Sequence, residues 1–248
     1  MSIQQAIFTS AQTKRASGYH LACRSSGLSE ADARELTAWG PSHDSLADST
    51  PAAQSVNFFP LSSGSFCVSR TVIAGQEYSG RGGWRVFTTC LVISPADLSR
   101  FANNPFAIIR AALAAGELDP PAVLPQSLEP LSLGGRAAGV DHTILYRLSA
   151  RVSADEIVRL ITAVFKQRHV VVGAAVDGEL LVAGVLNSLP VDRRPELSFS
   201  TGLRFCSQRP FRLTVLPHHA ESELRHAALA GAKIHRMNAG QFAAQPAC

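Results

Sequence analysis

Apolar residues recur along this chain at two spacings, and the spacings predict two kinds of element. Residues 4–10 (QQAIFTS) and 18–24 (GYHLACR) read as strands, and the polar run between them predicts a hairpin. Ser29 then stands three residues before Asp32. In this S-x-x-D pattern the serine oxygen takes a free backbone N–H of the first turn, so a helix is expected to about Trp39, stopped by Gly40-Pro41. Residues 41–55, rich in Ser, Asp, Pro and Ala, read as a surface loop. Residues 56–59, 65–74 and 84–93 read as strands, with Gly80, Gly82 and Gly83 permitting a sharp turn between the last two. A short helix is predicted over 96–103. A second is capped by Asn104, starts at Pro105 and ends before Gly116, with Phe106, Ile109 and Leu113 on one face.

Residues 117–135 hold four prolines and predict an extended connector or an ordered crossover along one domain. The expected division is an N-terminal α+β domain (1–118), this connector (119–135), a second α/β part (136–240) and a tail (241–248). In the second part a strand is predicted at 142–148. Ser153 and Glu156 form a capping box before a helix with Ile157, Leu160, Ile161 and Val164 on its apolar face. Residues 169–176 form a β-branched strand. Asp177-Gly178 fits a hairpin turn, but the spacing of Leu181, Val182, Val185, Leu186 and Leu189 favours a helix ended by Pro190. Strands are expected at 196–200 and 211–216, and a last helix from about His218 to Leu229 with Glu221 and Arg225 one turn apart. The class is α/β (α+β): mixed, largely antiparallel sheets flanked by helices, with room for two subdomains.

Composition narrows the class. Hydrophobic residues at 46% and charged residues at 17% of 248 positions describe a folded chain rather than a disordered one. No apolar run approaches the roughly 20 residues that span a bilayer, and Met1 to Gln5 lacks a basic region leading into an apolar one, so a cytoplasmic protein without a membrane partner is expected. Cys23, Cys67, Cys90, Cys206 and Cys248 are odd in number and widely spaced, which argues for reduced thiols over a disulfide framework or zinc knuckle. Net charge is +4, with the basic residues dispersed, whereas a nucleic-acid footprint needs a concentrated patch.

Motifs exclude several chemistries. None of Lys14, Lys166 and Lys233 follows a glycine, so no P-loop is present. Gly80-Arg81-Gly82 leads into a strand-like run, whereas a dinucleotide fingerprint needs a helix there. Zinc-protease, nucleophile-elbow and S-x-x-K signatures are missing. Ser42-His43-Asp44 contains the residue types of a hydrolase triad, but triads assemble from distant segments. His218, His219, Glu221, Glu223 and His226 have metal-ligating side chains, with His219 and Glu223 four apart on the predicted helix. A solvated helix face explains them more simply. Cys206 has Arg204 and Arg209 nearby, while Cys67 and Cys90 sit in apolar runs and read as buried hydrophobes. No cofactor is implied.

Three blocks carry a resemblance. They are Phe8-Thr9-Ser10 with Gly18-Tyr19 and Ser26-Gly27-Leu28; then Tyr78-Ser79-Gly80-Arg81 before a hydrophobic strand; then Leu189-Pro190, Arg194 and Leu197-Ser198-Phe199-Ser200-Thr201. In this order they resemble the GTPase-associated proteins of bacterial conflict systems, N-terminal domain type. The resemblance implies a non-enzymatic adaptor or regulator working with a GTPase or another conflict-system protein, and it implies no catalytic residues. Tyr78, Arg81, Thr201 and Arg204 are the candidate binding residues. Arg81 offers a bidentate fork to a carboxylate or phosphate, or serves as a turn residue with a structural ion pair; Arg204 after Thr201-Gly202 poses the same choice. The alternatives are a hydrolase using His20 or His43 with Asp44, and a nucleic-acid-binding module whose arginines gather on one face.

Overall fold

The structure, a computed structural model, describes residues 2–12, 17–76 and 83–237. Tyr78 and Arg81, with Gly80 and Gly82, lie outside the described residues. The first stretch is antiparallel: β1 (Ser2–Gln12), β2 (Ser17–Arg24), helix α1 (Glu30–Trp39), β3 (Gln54–Pro60), β4 (Phe66–Gln76) and β5 (Trp84–Ile93). Helices α2 (Pro95–Arg100) and α3 (Pro105–Ala114) follow, then the two-residue strand β6 (Leu131–Ser132). The second stretch is α4 (His142–Ser149), α5 (Ala154–Lys166), β7 (Val170–Ala174), α6 (Gly178–Ser188), a 3-10 turn (Val191–Glu196), β8 (Phe199–Ser200), β9 (Leu213–Pro217), α7 (Glu221–Leu229) and β10 (Lys233–Met237).

All ten strands of the described residues share one mixed sheet in the order β10-β7-β9-β8-β3-β4-β5-β1-β2, with β6 paired to β1. The β8 to β10 end is parallel, and the remaining pairs are antiparallel. The hinge between the two regimes is β3 against β8, where Asn57 faces Ser200 and Phe58 faces Phe199. Helices cover both faces. Val170, Val172 and Ala174 of β7 pack with α3 to α6 on one side, while Val171 packs with Leu224 and Ala227 of α7 on the other. Alternation along a strand produces this division, because successive side chains point to opposite faces.

Several predicted elements are found as read. Ser29 accepts from Asp32 N, Ser153 and Glu156 close the capping box, and Asn104 caps α3 with Pro105 in its first turn. Asp177 caps a helix, so the Asp-Gly pair opens α6. At the edge of the described residues Gly83 has φ of +83°, and Trp84 pairs with Gln76 where β4 and β5 run antiparallel.

Other elements differ. Residues 142–148 form helix α4, not a strand. Asp141 accepts from Ile144 N, and Ile144 and Leu148, one turn apart, are buried. A Cβ on Gly184 of α6 would collide with Leu148, so the two helices approach at a glycine. Leu113 is 38% exposed, while Ile108 is fully buried, so α3 is embedded more completely than a single stripe implies. The strand expected at 196–200 shrinks to Phe199–Ser200, because a 3-10 turn containing Pro195 occupies the chain through Glu196. The last helix starts at Glu221, so His219 precedes it and does not share a helical face with Glu223. Glu221 meets Arg236 at 3.0 Å, with Arg236 on a strand absent from the reading, β10.

The loop at 41–55 is less superficial than its composition suggests. Leu46 and Ala53 are buried, Ala47 N donates to Gly202 O, and Leu46 bridges Leu203. The proline-rich stretch also has partners: Leu128 N donates to Arg24 O, and Leu131 pairs with Ile3.

Arg194 is 1% exposed and has no carboxylate partner among the described residues. Its guanidinium donates to three carbonyls: Leu189 at 3.3 Å, Ala102 at 3.0 Å and Gly139 at 2.6 Å. These belong to the end of α6, the α2–α3 turn and the approach to α4. A planar fork fits such dispersed acceptors, which a lysine's single ammonium cannot span. Desolvation lowers the Arg194 pKa.

Candidate functional site at the carboxyl ends of the parallel strands

In open α/β sheets, crevices form where neighbouring parallel strands send their connections to opposite faces. That condition is met between β7 and β9. From β7 the chain enters α6 on one face; from β9 it enters α7 on the other. A crevice of about 430 Å³ lies at their carboxyl ends. Its walls come from residues 174–179 after β7, residues 215–219 around the end of β9, Thr201-Gly202 after β8, and the 46–54 loop.

Among the described residues the charged lining is acidic, with Asp48, Asp177 and Glu179 beside His218 and His219 and without Lys or Arg. Each carboxylate has a local partner. Asp48 accepts from Thr50 N at 2.9 Å, Asp177 accepts from Leu180 N at 2.9 Å, and Glu179 accepts from Gln54 Nε2 at 2.9 Å. Gln54 Oε1 in turn accepts from Arg70, which also reaches Asp119 at 3.2 Å. Burial, and then the neighbouring Asp177 charge, raise the Glu179 pKa. The positive end of α6 is therefore already met by Asp177 and Glu179, and the crevice suits a cationic or hydrogen-bond-donating guest better than an anion. The His218 and His219 rings meet edge to face at 5.5 Å.

The predicted binding residues have separate environments. Thr201 lines the crevice, but its Oγ1 accepts from Val56 N at 2.8 Å and its N–H donates to Val56 O at 3.1 Å, so it joins β8 to β3. Arg204 faces Glu223 at 3.5 Å and donates to Leu46 O at 3.3 Å, pinning the 41–55 loop near α7. Of the alternative hydrolase residues, His43 Nε2 lies 3.0 Å from Asp44 Oδ2, packed against Gly83, and His20 Nδ1 bonds Gly18 O at 2.8 Å. Among the described residues, no group of three or more His, Cys, Asp or Glu is placed to hold a metal ion. Cys23, Cys67 and Cys90 are buried free thiols and Cys206 an exposed one. Burial pushes Cys23 up to about 11, and burial followed by the neighbouring Cys90 pushes Cys67 well above the usual thiol range.

The sequence reading missed Asp48, Gln54 and Glu179. A usable signal was present: a β-branched strand, then Asp177-Gly178, then a helix, which is the strand-turn-helix unit that lines such crevices.

The fold is thus a mixed α/β sheet with a switch-point crevice. The family model described as GTPase-associated protein 1, N-terminal domain type 2, matches residues 2–130, and the chain belongs to that family. The matched residues contain the Phe8-Thr9-Ser10 and Gly18-Tyr19 block, where Tyr19 faces Ser10 across β1–β2 and its hydroxyl accepts from Val86 N at 3.1 Å. The block around Arg194 lies beyond them. Neither a curated protein nor a solved structure matched the chain significantly. Among the described residues, no helix is long and apolar enough to cross a membrane.

Proposed function

We propose that this protein is a non-enzymatic adaptor or regulatory component that binds a GTPase within a bacterial conflict or signalling system. The observation that carries the reading is family membership across residues 2–130, under a description that names association with a GTPase. Geometry adds a mode of contact. The acidic crevice at the carboxyl ends of β7 and β9 accepts a basic side chain of the partner, and the half-exposed Arg204, held by Glu223 at 3.5 Å, exchanges that pair for a carboxylate of the partner. Tyr78 and Arg81 form a second point of contact in this reading.

The test is a pull-down with a candidate partner GTPase, loaded in turn with GDP and a non-hydrolysable GTP analogue. Recovery of a complex that depends on nucleotide state, weakened about tenfold by Asp48→Asn combined with Arg204→Ala, is the expected result. Failure to recover the GTPase in either state overturns the proposal.

A further inference from the structure

The opposite end of the same parallel strands has the opposite charge. A pocket of about 820 Å³ opens at the amino ends of β7, β8 and β9, beside His169, Ser198 and Arg212. Four cations line it: Lys166, Arg168, Arg209 and Arg212. The one carboxylate among its described lining residues, Glu196, is already held by Arg193 at 2.9 Å. None of the four lining cations has a carboxylate within ion-pair distance among the described residues.

Helix stabilisation explains part of this arrangement. Lys166 occupies the last turn of α5, and Arg212 donates to Val164 O at 3.5 Å, so both offset the negative end of that helix. Arg209 is different. It lies in the connection from β8 to β9, and its guanidinium makes long bonds of 3.4 Å to Arg204 O and to Ser45 Oγ, both uncharged acceptors. Desolvation lowers its pKa. A partly buried cation with weak neutral partners is costly, and an anion entering the pocket relieves that cost. His169 completes the rim: its Nδ1 lies 3.0 Å from Phe211 O and can only donate there, so Nε2 is the ring nitrogen left to accept or, when protonated, to donate.

We propose that this pocket binds a small ligand carrying a chain of phosphates, held by Arg168, Arg209 and Arg212 of its lining. Three guanidiniums within one pocket match the several closely spaced negative charges that a phosphate chain offers and that a single carboxylate does not. The phosphate chain belongs either to free polyphosphate or to a nucleoside polyphosphate.

The experiment is isothermal titration of the full chain with inorganic tripolyphosphate at low ionic strength. Saturable binding is expected, weakening as salt rises, because the contacts are charge-assisted. Arg209→Gln should reduce affinity at least tenfold. Should that variant lose stability through its bonds to Arg204 and Ser45, the exposed Arg168→Gln provides a second reading, with an expected reduction of about threefold and an unchanged Tm without ligand. A parallel titration with GTP assigns the source: tighter binding than tripolyphosphate indicates a nucleotide, and weaker binding indicates free polyphosphate. Absence of saturable binding to either overturns the proposal. So does equal binding by both arginine variants and the parent, or citrate binding as tightly as tripolyphosphate.

Discussion

The antiparallel and parallel regions of this sheet are built by different rules, and they hold different things. From β1 to β5 the strands pair with neighbours in the same stretch, mostly through hairpins, and the family match falls there. From β7 to β10 each parallel neighbour must be reached by a crossover, and both charged pockets lie at the ends of those strands. Crossovers bring loops from distant stretches together at the strand ends, which hairpins do not. Most of the walls of these two pockets therefore lie beyond the family match, which reaches the acidic crevice through the 46–54 loop and meets the parallel strands where β3 pairs with β8.

That junction is polar as well as apolar. Ser55, Asn57, Ser69, Thr71, Thr88 and Ser200 are all buried and hydrogen-bonded in one stripe running from β8 to β5. Such a network is favourable only when every member is satisfied, which ties the two regions to a fixed register. Arg194 ties them again on the opposite face, through Ala102 on one side and Leu189 on the other.

The largest effect should come from cutting this tie. Arg194→Ala removes the donor to the buried Leu189 and Ala102 carbonyls and to the part-buried Gly139 carbonyl and opens a cavity, for an expected loss on the order of 3 kcal/mol in denaturant unfolding. If the regions are one cooperative unit, hydrogen exchange in β4 and β5 will accelerate together with that in β7 and β9. Acceleration confined to β7 and β9 would show two independent units instead. A smaller effect should stay within the parallel region. Gly184→Leu forces α4 off α6 and should cost about 1–3 kcal/mol. Adding Leu148→Ala should recover part of that loss, and a strictly additive double variant would contradict the close approach of the two helices.

The smallest effect concerns the acidic crevice. Glu179 has a folded pKa above its ordinary value near 4.5, so the folded state holds this proton longer than the unfolded chain does. Stability is therefore lost as pH rises from the ordinary value through the raised one. Glu179→Gln should raise Tm by about 1 °C or more at neutral pH and converge on the parent below about pH 4. A variant less stable than the parent at neutral pH would mean that the bond from Gln54 outweighs the desolvation.

Local chemistry was legible wherever partners lie within a few residues. The caps at Ser29, Asn104 and Ser153 follow from side chains meeting the nearest backbone, and the β1–β2 pairing from two strand-like runs joined by a short polar one. Residues 142–148 misled because Ile, Leu and Tyr suit a strand equally well, and the burial of Ile144 and Leu148 against α6 decides for a helix. Strand β10 was missed because its sequence, KIHRM, is mostly polar, and only the free edge of β7 makes a strand of it.

The sequence by itself determined the element types bounded by strong caps, the α/β class, and the residues that mark the family, since all of these rest on short-range patterns. Tertiary structure alone decided that one sheet carries both regions, that Arg194 is a buried clamp, and that acidic and basic groups gather at opposite ends of the same strands. Those facts depend on contacts between residues up to 164 positions apart, such as Ser45 with Arg209, and spacing along a chain holds no record of such distances until crossovers close them.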